Sequence, residues 1–170
     1  MEDSPKKMKR IMVIGCPGSG KSTFSRALHD ATGIQLFHLD MLYWNADGTC
    51  IEESVFMEKL TNTILLNEWI IDGNYASTLE LRIQACDTAI FLDYPLEVCL
   101  DGINSRKGNK RSDMPWVEPK NGVDKDFIDF VKNYRQQIRP DVIKLLGKYS
   151  DKNVFIFKDR GEADEFLAQL

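Results

Sequence analysis

Eight residues near the start of the chain, Gly15, Cys16, Pro17, Gly18, Ser19, Gly20, Lys21 and Ser22, have the spacing of a phosphate-binding loop: glycine, four residues, glycine, lysine, hydroxyl residue. Glycines let the backbone turn through conformations that side chains forbid. Successive N–H groups then point inward at an anion, and the positive end of a following helix adds to the attraction. Lys21 brings a full charge to the β and γ phosphates of a nucleoside triphosphate such as ATP. Ser22, with Thr23 beside it in the binding segment, offers a hydroxyl for one coordination position on Mg²⁺. The surrounding sequence supplies the frame the loop needs, a strand-like Arg10–Ile14 before it and a helical Thr23–Leu28 after it.

Three further groups have types and positions suited to phosphoryl chemistry. Asp40 closes the run Phe37-His38-Leu39-Asp40 and is expected to end a strand in the crevice beside the phosphate loop. There it orients or deprotonates an acceptor hydroxyl, or binds a magnesium-bound water. Asp72 follows Trp69-Ile70-Ile71 and precedes Gly73-Asn74-Tyr75, and Asp93 follows Ala89-Ile90-Phe91-Leu92. Each has the form of an apolar strand ending in an aspartate that holds metal through water. Asp72 ranks first, because Gly73 permits close backbone approach to a substrate, whereas Asp93 before Tyr94-Pro95 is placed to cap a helix. His38 and His29 have no recognisable partner in the sequence. Arg82 is a candidate for the acceptor side. In Arg106-Lys107-Gly108-Asn109-Lys110-Arg111, Arg106 and Arg111 are expected to close on the transferring phosphoryl group. The stretch Asn109 to Asp113 comes close to a guanine-reading Asn-Lys-x-Asp, with its aspartate one residue too far on.

The elements that must position these groups alternate in the manner of an α/β fold with a parallel sheet covered on both faces. Strands are expected at Ile11–Ile14, Gln35–Leu39, Trp69–Ile71, Thr88–Leu92 and Asn153–Phe157. Helices are expected near Ser22–Ala31, Glu53–Leu66, Leu79–Ala85, Leu96–Arg106, Lys125–Leu146 and Ala163–Leu170. Ligands of such sheets bind at the carboxyl ends of the strands. Two segments break the alternation: Met41–Glu52, an acceptor-side loop with Tyr43 and Trp44 just ahead of its turn, and Lys107–Asp124, rich in Gly, Pro and charge and expected to be a lid.

With 170 residues, 43% of them hydrophobic, the chain suits one domain with a full core. A net charge of −4 gives no general attraction to nucleic acid or anionic membrane, and no segment reads as a membrane span or signal peptide, so a cytoplasmic location is expected. Cys16, Cys50, Cys86 and Cys99 lack the paired spacing of a zinc site or a disulfide framework.

The order of these motifs resembles the adenylate-kinase-like small-molecule kinases and, more closely, the subgroup labelled DNA topology modulation proteins. The resemblance rests on Gly15–Ser22, His38-Leu39-Asp40 with Tyr43-Trp44, Trp69-Ile70-Ile71-Asp72-Gly73-Asn74-Tyr75, Arg82 and Asp87–Pro95. It implies a three-layer P-loop fold of the nucleoside-monophosphate-kinase kind, with five parallel strands, a lid, and an acceptor-binding segment comprising Asp72, Gly73, Asn74 and Tyr75. Two departures stand out. The helix entering the lid reads Asp101-Gly102-Ile103-Asn104-Ser105-Arg106, poorer in arginine than the subgroup, and Asp72-Gly73 is not followed by the Pro-Arg of many nucleoside-monophosphate kinases.

The expected activity is ATP- and Mg²⁺-dependent phosphoryl transfer to a small acceptor such as a nucleoside, nucleotide or other hydroxyl metabolite. The alternatives are a nucleotide-dependent switch and, disfavoured by the charge, a nucleic-acid-binding protein.

Overall fold

The computed structural model of the chain describes residues 7–118 and 124–170. Its strands are β1 (Arg10–Gly15), β2 (Leu36–His38), β3 (Trp69–Asp72), β4 (Thr88–Leu92) and β5 (Asn153–Phe157). They form one all-parallel sheet in the order β2-β3-β1-β4-β5, as the alternating pattern predicts. The three central strands are buried at nearly every successive residue, Ile11 through Ile14, Trp69 through Asp72 and Thr88 through Leu92. An unbroken apolar run is what a strand covered on both faces requires. Leu36–His38 at one edge is only half-buried.

The connections are helical: α1 (Lys21–Thr32), α2 (Leu39–Tyr43), α3 (Glu53–Ile64), α4 (Ala76–Ala85), α5 (Leu96–Arg106), α6 (Lys125–Gln137), α7 (Arg139–Lys148) and α8 (Arg160–Ala168). None is long and apolar enough to cross a membrane among the described residues. The single helix expected over Lys125–Leu146 is two, divided at Ile138, because Pro140 in the first turn of α7 has no N–H to continue the ladder of α6. The last helix starts at Arg160 rather than Ala163, where the Asp159 side chain accepts from the Glu162 N–H and caps it.

Gly102 stands inside α5, where glycine is normally unfavourable. A Cβ at Gly102 would meet the backbone carbonyl of Gly18, and one at Gly18 would meet the carbonyl of Cys99. Gly18 also has φ 82°. The phosphate loop and α5 cross at backbone contact, so the glycine in the helix that departs from the subgroup pattern is a packing requirement.

The parallel register sets the working edge of the sheet. Asp72 of β3 pairs with Val13 of β1 on one side and His38 of β2 on the other, and Gly15 pairs with Leu92. Gly15, His38 and Asp72 thus arrive at one rim, at the carboxyl ends of three adjacent strands.

Candidate active site

The phosphate loop leaves β1 at Gly15 and enters α1 through Gly20, whose left-handed backbone (φ 91°) is the helix N-cap. Ser19 is buried, and its Oγ has no hydrogen-bond partner among the described residues. Lys21 Nζ folds back over the loop, donating to the carbonyls of Gly15 (2.9 Å) and Cys16 (3.2 Å). Burial lowers the pKa of Lys21, while Asp72 and Asp40 hold it up in part. The Cys16 thiol is pushed up by its hydrogen bond to Cys99 and by burial. It is therefore a packed neutral thiol rather than a nucleophile. The Gly15 N–H donates to Asn74 Oδ1 (3.3 Å), which ties the Asp72–Tyr75 turn to the loop's first residue.

Asp40 does not end a strand. Sheet pairing stops at His38, and Asp40 lies in the first turn of the short helix α2. Tyr75 Oη donates to Asp40 Oδ1 at 2.5 Å. Burial raises the Asp40 pKa, and the Tyr75 hydroxyl and the Lys21 charge oppose the rise without cancelling it. A half-buried carboxyl within the field of a lysine, held by one donor and with its second oxygen uncommitted in that bond, is suited to taking a proton. Tyr75 is itself the only non-glycine residue with positive φ (35°) among the described residues, a strained backbone that aims its ring at Asp40.

Asp72 is buried at the end of β3, and both its oxygens face His38 Nδ1, at 2.8 and 3.0 Å. His38 thus has a partner that the sequence did not reveal, since only the parallel pairing of β2 with β3 brings the two together. His29 is occupied too, its Nδ1 2.6 Å from the Ile34 carbonyl.

Two expectations are corrected. Asp93 does not offer a free carboxylate to a metal: Arg139 bonds both its oxygens (2.7 and 2.8 Å) and Lys158 Nζ lies 2.5 Å from Oδ2. Burial works to raise its pKa, but these two cations outweigh it and the net shift is downward. Nor does Arg82 face an acceptor. It is fully buried, donating to the carbonyls of Gly73 (2.9 Å) and Asn74 and to Thr78 Oγ1 (3.1 Å), and burial lowers its pKa to about 10. Its planar fork is the pin under the Asp72–Tyr75 turn. Arg82→Ala is expected to lower stability by about 3 kcal/mol or more, since it leaves buried carbonyls unpaired around a cavity. Arg82→Lys should not restore it, because one ammonium cannot reproduce the fork. Urea unfolding of the three proteins measures this.

The expected lid, Lys107–Asp124, is visible as far as Glu118 and at Asp124; residues 119–123 lie outside the described residues. Its arginines rest on its own carboxylates. Arg106 Nε is 3.3 Å from Glu118 Oε2, and Arg111 lies 3.5 Å from Glu118 and 3.6 Å from Asp113. The segment docks on α1, where Ser22 Oγ donates to Asp113 Oδ2 (2.6 Å) and Arg26 donates to Ser112 Oγ (3.0 Å). Thr23 is exposed, and among the described residues its hydroxyl accepts from Arg26 alone (3.2 Å). Burial would raise the Asp113 pKa, but the Ser22 hydroxyl and Arg111 bring it down. Glu118 and Trp116 are site-side residues that sequence reading missed, and Asp113, weighed there only as part of a guanine-reading pattern, is instead the partner of Ser22. Their signal is a tryptophan and an acid inside an otherwise polar, cation-rich loop. Tyr43 and Trp44 meet edge to face (5.1 Å, 89°), and Tyr43 packs on Tyr75 at 5.0 Å. The segment expected as a loop from Met41 is helical as far as Tyr43, the end of α2, and Tyr43 and Tyr75 link its aromatic side to Asp40.

A parallel sheet with a lysine-bearing phosphate loop at its central strand, and acidic groups at the neighbouring strand ends, defines the P-loop kinase class. Solved structures bear this out for the fold. The chain superimposes on shikimate kinase from Bacteroides thetaiotaomicron with a TM-score of 0.58 at 18% identity, covering 96% of each chain. For shikimate kinase from Aquifex aeolicus the TM-score is 0.55 at 20% identity, covering 94% of this chain and 92% of that one. By sequence, the chain aligns over 148 residues at 30% identity with the 5-hmdU DNA kinase of Pseudomonas phage PaMx11, spanning 68% of this chain and 78% of that protein. It belongs to that kinase's family. No protein-family model matches it.

Proposed function

We propose that the protein is an ATP-dependent kinase that phosphorylates a hydroxyl group carried on a nucleoside unit, free or within DNA, and that it works as a single catalytic domain with Lys107–Asp124 as its lid. The observation that carries this reading is Asp40, a half-buried carboxyl of raised pKa in the helical turn just after β2, which feels the charge of Lys21 on the phosphate loop. Kinship with a 5-hmdU DNA kinase supports a nucleoside-borne acceptor. The net charge of −4 argues for contact with a short stretch of nucleic acid rather than a long one.

The residues divide the work as follows. Gly15 to Ser22 wrap the phosphates with backbone N–H groups, and Lys21 leaves the loop carbonyls for the β and γ phosphates. Asp40 accepts the acceptor hydroxyl proton as the new O–P bond forms. The bond from the γ phosphorus to the bridging oxygen breaks, and its electron pair leaves on ADP. Arg106 and Arg111 exchange Glu118 and Asp113 for the spreading phosphoryl charge.

Mg²⁺ fits the donor set. Ser22 and Asp113 present oxygens 2.6 Å apart from two different elements, and Asp72 lies at the next strand end. Among the described residues, no three His, Cys, Asp or Glu side chains form an all-protein cage. That suits an ion held by one or two protein oxygens with phosphate and water. When bound, it neutralises charge on the β and γ phosphates; Ser22 would hold it directly and Asp72 through water.

ATP consumption and acceptor labelling, measured with DNA containing 5-hydroxymethyluracil, the free deoxynucleoside, and thymine DNA lacking the hydroxyl, test this function. Labelling confined to the hydroxymethyl acceptors supports it, whereas equal ATP hydrolysis without any acceptor labelling makes the protein a nucleotide-driven switch. Arg106→Ala and Arg111→Ala are each expected to lower kcat about 10²-fold while ATP affinity changes only severalfold, because the charge they stabilise belongs to the transition state. Arg106, anchored at the end of α5, has the larger effect. Wild-type turnover in both variants would leave the basic cluster a solvated turn.

A further inference from the structure

The chain has three tryptophans, and they are used in two ways. Trp69 is fully buried in β3 with its Nε1 donating to the Ile64 carbonyl (3.3 Å), as a core tryptophan should be. Trp44 and Trp116 are half-exposed and come from two different segments, one after α2 and one after α5. Their rings meet at 6.0 Å with planes at 73°. The Nε1 of Trp116 is buried yet has no acceptor among the described residues. A donor left in that condition is costly to the protein alone and valuable to a ligand that supplies a carbonyl.

The tryptophan pair is continuous with Asp40. Trp44 packs on Tyr43 (5.1 Å), Tyr43 on Tyr75 (5.0 Å), and the Tyr75 hydroxyl bonds Asp40 (2.5 Å). An aromatic wall therefore runs from the proposed proton acceptor to a pair of indoles bearing an unused N–H. Two π faces, one donor and a carboxylate at a fixed remove suit a planar heteroaromatic ring that carries a ring carbonyl and a pendant hydroxyl.

We propose that Trp44 and Trp116 are the acceptor-recognition residues. A nucleobase enters between the two indoles, Trp116 Nε1 donates to a base carbonyl, and the base's hydroxyl substituent is carried toward Asp40. The assignment rests on the reading that the chain phosphorylates a nucleoside-borne hydroxyl. The indoles touch, so they part for the base to enter. A base within DNA has to leave its stack to reach them, which makes a single strand or a mismatched position the better substrate.

The test uses the full chain and 5-hydroxymethyl-2′-deoxyuridine as probe. Trp116→Phe keeps a ring and deletes the N–H, and about a tenfold rise in KM for the nucleoside is expected, with a smaller fall in kcat and an unchanged KM for ATP. Trp44→Ala deletes a stacking face and should raise that KM by roughly ten- to a hundredfold. Without ATP, the nucleoside should quench tryptophan fluorescence in the wild type and quench it less in Trp44→Phe and in Trp116→Phe. A hydroxyl acceptor with no aromatic ring should quench neither. If the wild type phosphorylates the nucleoside while the variants keep its KM and no quenching is seen, the clamp is wrong and the kinase reading stands. If the wild type labels no nucleoside or DNA hydroxyl at all, the reading fails and takes the clamp with it. The two positions are tested separately, so a variant that does not fold leaves the other to decide.

Discussion

Lys21→Ala should reduce kcat/KM by about 10³-fold or more while leaving the protein folded. Among the described residues the ammonium is held by the carbonyls of Gly15 and Cys16 alone, at 2.9 and 3.2 Å, so its removal costs the fold about 1 kcal/mol. Its work lies elsewhere. Burial lowers its pKa and the carboxylates of Asp72 and Asp40 sustain it, so the charge is kept in a poorly solvated place where an incoming triphosphate is the strongest partner on offer. Thermal unfolding and steady-state kinetics on the same preparation separate the two effects. A variant with wild-type turnover would remove the phosphate loop from the mechanism, and one that fails to fold would make Lys21 a structural residue.

Asp40→Asn should lower kcat by about 10²- to 10⁴-fold with ATP affinity nearly unchanged, because the substitution keeps volume and hydrogen-bond acceptance toward Tyr75 but removes the base. The pH profile carries a second signature. Asp40 must be ionised to accept a proton, and burial raises its pKa, so the acid limb of kcat lies above the ordinary carboxylate range. Tyr75→Phe removes the O–H that favours the ionised form, and the limb should move to higher pH still; in Asp40→Asn it should disappear. Stability runs the opposite way to activity. A carboxyl whose folded pKa exceeds its unfolded value binds protons more tightly when folded. Its favourable contribution is full below the unfolded pKa and is lost as pH rises through the folded one. Above its folded pKa the desolvated Asp40 carboxylate therefore weighs against folding, and on that side of the titration Asp40→Asn should unfold at a higher temperature than the wild type, a stability sacrificed for function. An unshifted acid limb in Tyr75→Phe, or a loss of ATP binding in Asp40→Asn, would make Asp40 a metal or structural group instead.

Local signals were the ones readable from the sequence. Gly15 to Ser22 declares itself because all its parts are consecutive, and the buried runs Ile11–Ile14, Trp69–Ile71 and Thr88–Leu92 announce central parallel strands by their unbroken apolar character. What failed was set by partners far along the chain. Asp93 looks like a metal-binding strand end until Arg139 and Lys158, 46 and 65 residues on, are seen to occupy it. His38 looks isolated until β2 lies beside β3, and Arg82 looks like a substrate ligand until its guanidinium is found under the turn it pins. The break at Ile138 was nearer to hand, since Pro140 inside a helical pattern is a stop signal that the long amphipathic run obscured. In the lid the sequence shows cations and an aspartate out of register for a guanine-reading motif, whereas the fold pairs Asp113 and Glu118 with those cations and with Ser22.

The most direct test of the central claim follows the γ phosphoryl group itself. Enzyme in excess is mixed with ATP, Mg²⁺ and a single-stranded oligonucleotide bearing one 5-hydroxymethyluracil, and the digested oligonucleotide is analysed by mass spectrometry after one turnover. The account predicts a phosphoester on the hydroxymethyl oxygen, formed in step with ADP and absent with Lys21→Ala. ADP and inorganic phosphate accumulating beside an unmodified oligonucleotide and an unmodified free nucleoside would contradict it.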